Sequence, residues 1–118
     1  MRAFADGLEA KDPALPQWWC VDLDEEYSVD GVAISWEKDG LWYDYNVETS
    51  MDGEIWECRY KGHASGQTRT PNRFANSAKA KYLRVVVTGV SGKETVGIYH
   101  VEIFGSKPLE FTDFSVVS

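Results

Sequence analysis

The stretch YDYNVETSMDGEIW, residues 43–56, constrains this chain more than any other. Apolar and polar residues alternate from Tyr43 to Thr49, and a period of two belongs to a strand, whose successive side chains face opposite sides. Tyr43, Tyr45, Val47 and Thr49 therefore share one face, while Asp44, Asn46 and Glu48 share the other. One face is buried and one is wet. Asp52-Gly53 tolerates the positive backbone angles of a tight turn, and Ile55 and Trp56 resume the apolar pattern at once, so the unit reads as a β-hairpin.

The same pattern runs along the chain. Residues 18–24, 27–37, 55–62, 70–76, 81–89 and 96–105 read as strands, separated by Glu25-Glu26, Lys38-Asp39-Gly40, Asp52-Gly53, Ser65-Gly66 and Ser91-Gly92. The segment EFTDFSVV beyond Pro108 alternates less cleanly. No stretch sustains a helical apolar period. Short strands with regular turn signals predict an all-β, antiparallel β-sandwich or jelly roll, with Tyr45, Val47, Leu83, Val85 and Val87 in its core.

With 118 residues the chain suits a single domain, 1–118, large enough to bury a core without staples. Its first motif lies so close to the start that it reads as a module from a larger protein. A formal charge of -7 opposes binding to nucleic acid or anionic lipid, which basic patches attract. Neutral partners fit better. No apolar run reaches membrane-spanning length, so no membrane insertion is expected, and MRAFADGLEA lacks the pattern of a signal peptide. Cys20 and Cys58 form no CxxC motif and no disulfide framework, and both read as small buried hydrophobes.

Asp6-Gly7, PQWWCVDL (16–23), Trp36-Glu37, YDYNVETS (43–50), DGEIW (52–56), KYLRVVVTG (81–89) and IYHVEIFG (98–105) occur in an order that resembles the discoidin, or factor V/VIII type C, domains. The likeness is strongest to bacterial family-32 carbohydrate-binding modules. It covers about Asp6 to Gly105 and implies an eight-stranded jelly roll of the galactose-binding type. Such domains lack an active site and bind ligands with loops at one rim, in extracellular or cell-surface proteins.

A sugar in water needs an exposed flat ring for its C–H face and fixed polar groups for its hydroxyls. Trp18, Trp19, Trp36 and Trp56 sit inside strand motifs and are expected in the core. Trp42 follows Lys38-Asp39-Gly40-Leu41 in the loop entering the hairpin, where it is either an exposed platform or a ring folded over the sandwich edge. Glu37, Lys38 and Asp39 beside it offer acceptors and a donor, although a solvated turn carries the same charges. Lys93 and Glu94 lie on the last long inter-strand loop, which in the relatives reaches the same rim. The galactose binders of the family use a His, an Arg and an Asn on these loops. Here LEAKDPALPQ (8–17) has no His, and Lys38 stands where Arg is expected. His63 either contacts a ligand from a neighbouring loop or is a solvated loop residue, the second being the commoner case.

Family members also hold a structural calcium between the early Asp-Gly loop and an acid in the final strand. Asp6 and Glu102 are the residues that could ligate it here, but His100 occupies the place of the usual acid, and no cofactor is required by any motif. For catalysis a thiol with His63 or His100 is the one nucleophile–base option, and no motif joins them. The expected function is therefore a non-catalytic carbohydrate-binding module that targets an attached or neighbouring glycoside hydrolase to glycans or glycoconjugates. A protein-interaction, adhesion or spacer module whose sugar site has decayed is the alternative.

Overall fold

The computed structural model describes residues 2–6, 17–36, 41–65, 69–91, 98–106 and 109–112, with the backbone alone for 2–6, 17, 65, 99 and 109–112. These form seven strands and no helix: β1 (Arg2–Asp6), β2 (Gln17–Trp36), β3 (Trp42–Ser50), β4 (Glu57–Ser65), β5 (Arg69–Val90), β6 (Ile98–Gly105) and β7 (Leu109–Thr112). The sheet runs β4-β3-β5-β2-β6-β7, with β1 added on β2, and every pairing is antiparallel. An all-β sandwich is thus present, but the eight strands expected from the family are seven among the described residues.

The reason is that β2 and β5 each serve two layers. Gln17–Asp22 pairs with Val87–Tyr82 in one layer, and Gly31–Ser35 pairs with Arg73–Arg69 in the other. Between these ladders lie two irregularities of opposite sense. Residues 23–26 of β2 face Lys81 alone, whereas residues 74–77 of β5 face Asp30 alone. At the first, Asp24 takes a left-handed conformation (φ 67°) and donates its N–H to Asp22 Oδ1 at 2.9 Å. A short polar side chain with a local hydrogen bond tolerates that conformation. At the second, the Ser77 hydroxyl donates to the Asp30 carboxylate. Bulges bend a ladder, and here they fold one sheet into a sandwich. The turn expected at Glu25-Glu26 is the first of these bulges.

Aromatic rings join the layers. Trp36 of β2 stacks on Tyr43 of β3 at 4.2 Å and 7°, and Tyr45 approaches the same indole at 5.3 Å. All three are buried, together with Trp19, Val21, Val32, Ile34, Val47, Leu83, Val85, Val87, Val101 and Ile103. The Tyr45 hydroxyl donates to Asn72 Oδ1 at 2.8 Å, and the Asn72 amide donates to the Thr70 carbonyl at 3.2 Å, so the buried amide is satisfied within its own layer as well. Gly62 stands opposite Tyr45 on β4, and a Cβ there would fall inside the tyrosine ring. Glycine is required by that approach.

The hairpin departs from the sequence reading in length. Ladder pairing stops at Thr49↔Glu57, so the connection spans residues 50–56 and the strand resumes at Glu57 instead of Ile55. Asp52 Oδ1 accepts the N–H groups of Glu54 and Ile55 at 2.8 and 2.9 Å, Ser50 Oγ accepts that of Gly53 at 2.8 Å, and Gly53 has φ 79°. These bonds hold the Asp52 carboxyl below its usual range, those from Ile55 and Glu54 most strongly. Ile55 is exposed and Trp56 half-buried, so Trp56 leaves the expected core, as does the half-buried Trp18. Cys20 is buried as expected, but Cys58 is exposed on β4, and the two thiols are free.

Replacing Tyr45 with Phe strips Asn72 of its partner in the other layer and should cost about 1–3 kcal/mol in urea unfolding. Burial also pushes the Tyr45 phenol up from 10.0 to about 12. A raised folded pKa means that the native state keeps a proton the unfolded chain releases. This share of stability is full below about pH 10 and should fade as pH rises toward about 12, and the fading should be absent from the Phe variant.

Candidate functional site

Trp42 is the first residue of β3, at one rim of the sandwich. Its N–H donates to Ser91 Oγ, and its carbonyl accepts from the Ser91 N–H, both at 2.9 Å. Trp42 also pairs with Ser65, while Trp36 pairs with Ile98 and Ser35 with Arg69. The residues flanking three connections, 37–40, 66–68 and 92–97, are therefore gathered at this rim. Glu37, Lys38, Asp39, Lys93 and Glu94 lie outside the described residues, but the ends of the segments that carry them meet at Trp42.

The Trp42 side chain is 49% exposed. Its indole rests on the His63 ring, with centroids 4.6 Å apart and planes at 30°. His63 belongs to β4, opposite Asp44, and its Nδ1 pairs with the Asp44 carboxylate. Asp44 has room because position 89 is glycine: a Cβ there would lie 2.9 Å from Asp44 Oδ2. His63 is thus exposed as expected but is a strand residue with a defined partner, not a loop residue, and it backs the indole. Of the two placements open to Trp42, the structure takes the exposed one. A half-exposed ring with a carboxylate, an imidazole and a hydroxyl close by offers both an apolar face and hydrogen-bonding groups.

Of the two expected calcium ligands, the side chain of Asp6 lies outside the described residues. Asp6 pairs through its backbone with Trp18, near the start of β2, whereas Glu102 pairs with Ala33, beyond both bulges. Glu102 Oε2 accepts from Arg69 Nη2 at 2.7 Å and Nε at 2.9 Å, on the half-buried face it shares with His100. Among the described residues no three His, Cys, Asp or Glu side chains converge. Calcium takes six to eight oxygen ligands, and a carboxylate clamped by a guanidinium is a poor start for such a cage. Of the two named ligands, Glu102 is thus already engaged by Arg69.

The antiparallel sandwich brings the strand ends that flank three connections together beside an exposed indole. The model of the F5/8 type C domain matches residues 5–101, and the chain belongs to that family. Similar solved structures include the CBM32 of AlyQ in complex with 4,5-unsaturated mannuronic acid, at 21% identity and TM-score 0.73, covering 88% of this chain and 94% of that one. Chitosan-binding module 2 of a chitosanase/glucanase from Paenibacillus sp. IK-5, in complex with chitotriose, matches at 19% identity and TM-score 0.75, with coverage of 88% and 95%. CpGH89CBM32-5 from Clostridium perfringens, in complex with GalNAc-β-1,3-galactose, matches at 22% and 0.62, with coverage of 70% and 62%. At these identities the likeness establishes the shared fold. No curated protein sequence matches the chain.

Melting curves in excess calcium and in excess EDTA should agree within about 4 °C, which is under about 1 kcal/mol for a domain of this size. A larger rise with calcium would mean that Glu102 exchanges Arg69 for the ion.

Proposed function

We propose that this domain is a non-catalytic carbohydrate-binding module whose glycan site is the rim around Trp42. The observation that carries the reading is the half-exposed indole, fixed through its backbone by Ser91 and backed by the His63–Asp44 pair. A pyranose would lay its C–H face on the free side of the ring, and Lys38, Asp39, Glu37, Lys93 and Glu94 would supply hydroxyl contacts from the connections that end there. Similarly folded modules have been seen in complex with 4,5-unsaturated mannuronic acid, chitotriose and GalNAc-β-1,3-galactose, which supports sugars as the ligand class.

The module would hold an attached or neighbouring glycoside hydrolase on extracellular or cell-surface glycans, its weak affinity multiplied when several modules share a chain. Burial pushes the Cys20 thiol up to about 12, so this thiol is no nucleophile at neutral pH, which agrees with a role without catalysis.

Replacing Trp42 with Ala should weaken binding of the best glycan-array hit by about 1–3 kcal/mol, since stacking removes apolar surface from water while hydroxyl hydrogen bonds largely replace bonds to water. Folding should be nearly unchanged, because the ring lies outside the core. Titration calorimetry paired with thermal melting reads both. Normal binding by the variant would take Trp42 out of the site. Loss of the fold, or absence of any hit on the array, would favour an interaction or adhesion module of discoidin type.

A further inference from the structure

The wet face of the layer formed by β1, β2, β5, β3 and β4 carries aromatic rings that the core does not use. Trp18 and Cys20 of β2 and Tyr82 and Arg84 of β5 point away from the buried residues Trp19, Val21, Leu83 and Val85. The 50–56 connection folds against them, and together they enclose a cleft of about 340 Å³ lined by Trp18, Asp52, Trp56, Tyr82 and Arg84, with Gly53 and Cys20 beside them. That volume lies at the small end of the range for small-molecule sites, about 300–1,000 Å³.

We infer that this cleft is a second sugar site, which takes a pyranose ring of a neutral glycan independently of the Trp42 rim. The inference rests on the carbohydrate-binding reading for its ligand class, and on the cleft alone for its position. Its walls are held in advance of any ligand. The Arg84 guanidinium lies 4.0 Å above the Trp56 ring, and its Nε donates to Glu48 at 2.6 Å. Tyr82 meets Trp56 edge-on at 6.4 Å. The connection itself is tied by the Ser50 and Asp52 bonds to its own backbone. A preformed wall removes the ordering cost that a weak ligand would otherwise have to meet.

Its chemistry suits a sugar better than other small ligands. Indole and phenol rings offer faces for C–H groups. Among the described residues Arg84 is hydrogen-bonded through Nε, which leaves its Nη donors for hydroxyls. Asp52 uses Oδ1 toward the Glu54 and Ile55 N–H groups, and Oδ2 is an acceptor for a neighbouring hydroxyl. A donor and an acceptor beside aromatic faces match adjacent hydroxyls on a ring. The formal charge of -7 and the nearby Glu48 disfavour a polyanion.

Trp42 and Ser50 are the two ends of β3, so the sites lie about 25 Å apart at the usual rise per strand residue. One domain would then grip two stretches of polysaccharide. The test is an amide and indole NMR titration of the whole chain with two neutral probes, lactose and N,N′-diacetylchitobiose, each to about 20 mM, above the millimolar dissociation constant of a weak site. The expected result for at least one probe is movement of the Trp56 indole N–H and the Gly53 and Tyr82 amides. In the Trp42→Ala protein these shifts should persist with an affinity within about twofold, and in Trp56→Leu those of the Gly53 and Tyr82 amides should report binding weakened by more than about tenfold while the Trp42 rim still responds. Silence of Trp56, Gly53 and Tyr82 with both sugars overturns the second site, whatever the rim does. Their loss in Trp42→Ala overturns it too, by making them an echo of the rim. A silent rim with a responding cleft would instead overturn the rim assignment alone. Should Trp56→Leu fail to fold, the wild-type and Trp42→Ala titrations decide.

Discussion

Contact between the layers through Trp36, Tyr43 and Tyr45 is the constraint on which the rest of the sandwich depends. A sheet that curls over on itself must fill the space between its halves, and three large rings do so near the rim that carries Trp42. The stacked pair fixes how far apart the layers stand, and the Tyr45–Asn72 bond fixes how they slide, because a hydrogen bond of 2.8 Å tolerates little displacement. Asn72 would be a liability in an apolar interior. Bonded to Tyr45 and to the Thr70 carbonyl, it becomes a specification of register.

From that frame the rim inherits its stiffness. Tyr43 is buried in the stack and Trp42 is its chain neighbour on the opposite face, so anchoring one aims the other outward. The bonds from the Trp42 backbone to the Ser91 hydroxyl and N–H then close the end of the ladder. An indole so fixed would lose little freedom on binding the proposed glycan.

Much of this was legible in the residues. Alternation in 43–49 placed Tyr43, Tyr45, Val47 and Thr49 inside, and all four are buried. The β4 partners were not legible, for a specific reason. Counting back from Thr49↔Glu57 sets Asp44 opposite Gly62, but a bulge between Val47 and Glu48 slips the ladder by one and brings His63 there instead. A single extra residue exchanges the partners of every side chain beyond it. Trp56 and Trp18 were misplaced because apolar pattern alone cannot distinguish a ring in the core from one covering the outer face, and Cys58 because an edge strand leaves small residues wet. The layer crossing of β2 was read as a turn at Glu25-Glu26, since a bulge and a turn draw on the same polar residues, and that of β5 fell at the end of a strand read as 70–76.

The two opposed bulges also bear on how such a chain can change length. Residues 24–26 of β2 are exposed and outside the ladder, and so are 75–77 of β5. An insertion in a paired segment would turn every later side chain to the wrong side of the sheet. At either bulge it would only lengthen an excursion that already leaves and rejoins the ladder, at a small cost in loop entropy. Those two corners are therefore the places where a lineage could graft a new loop, or an engineer a fluorophore, onto the middle of a strand without retuning the core.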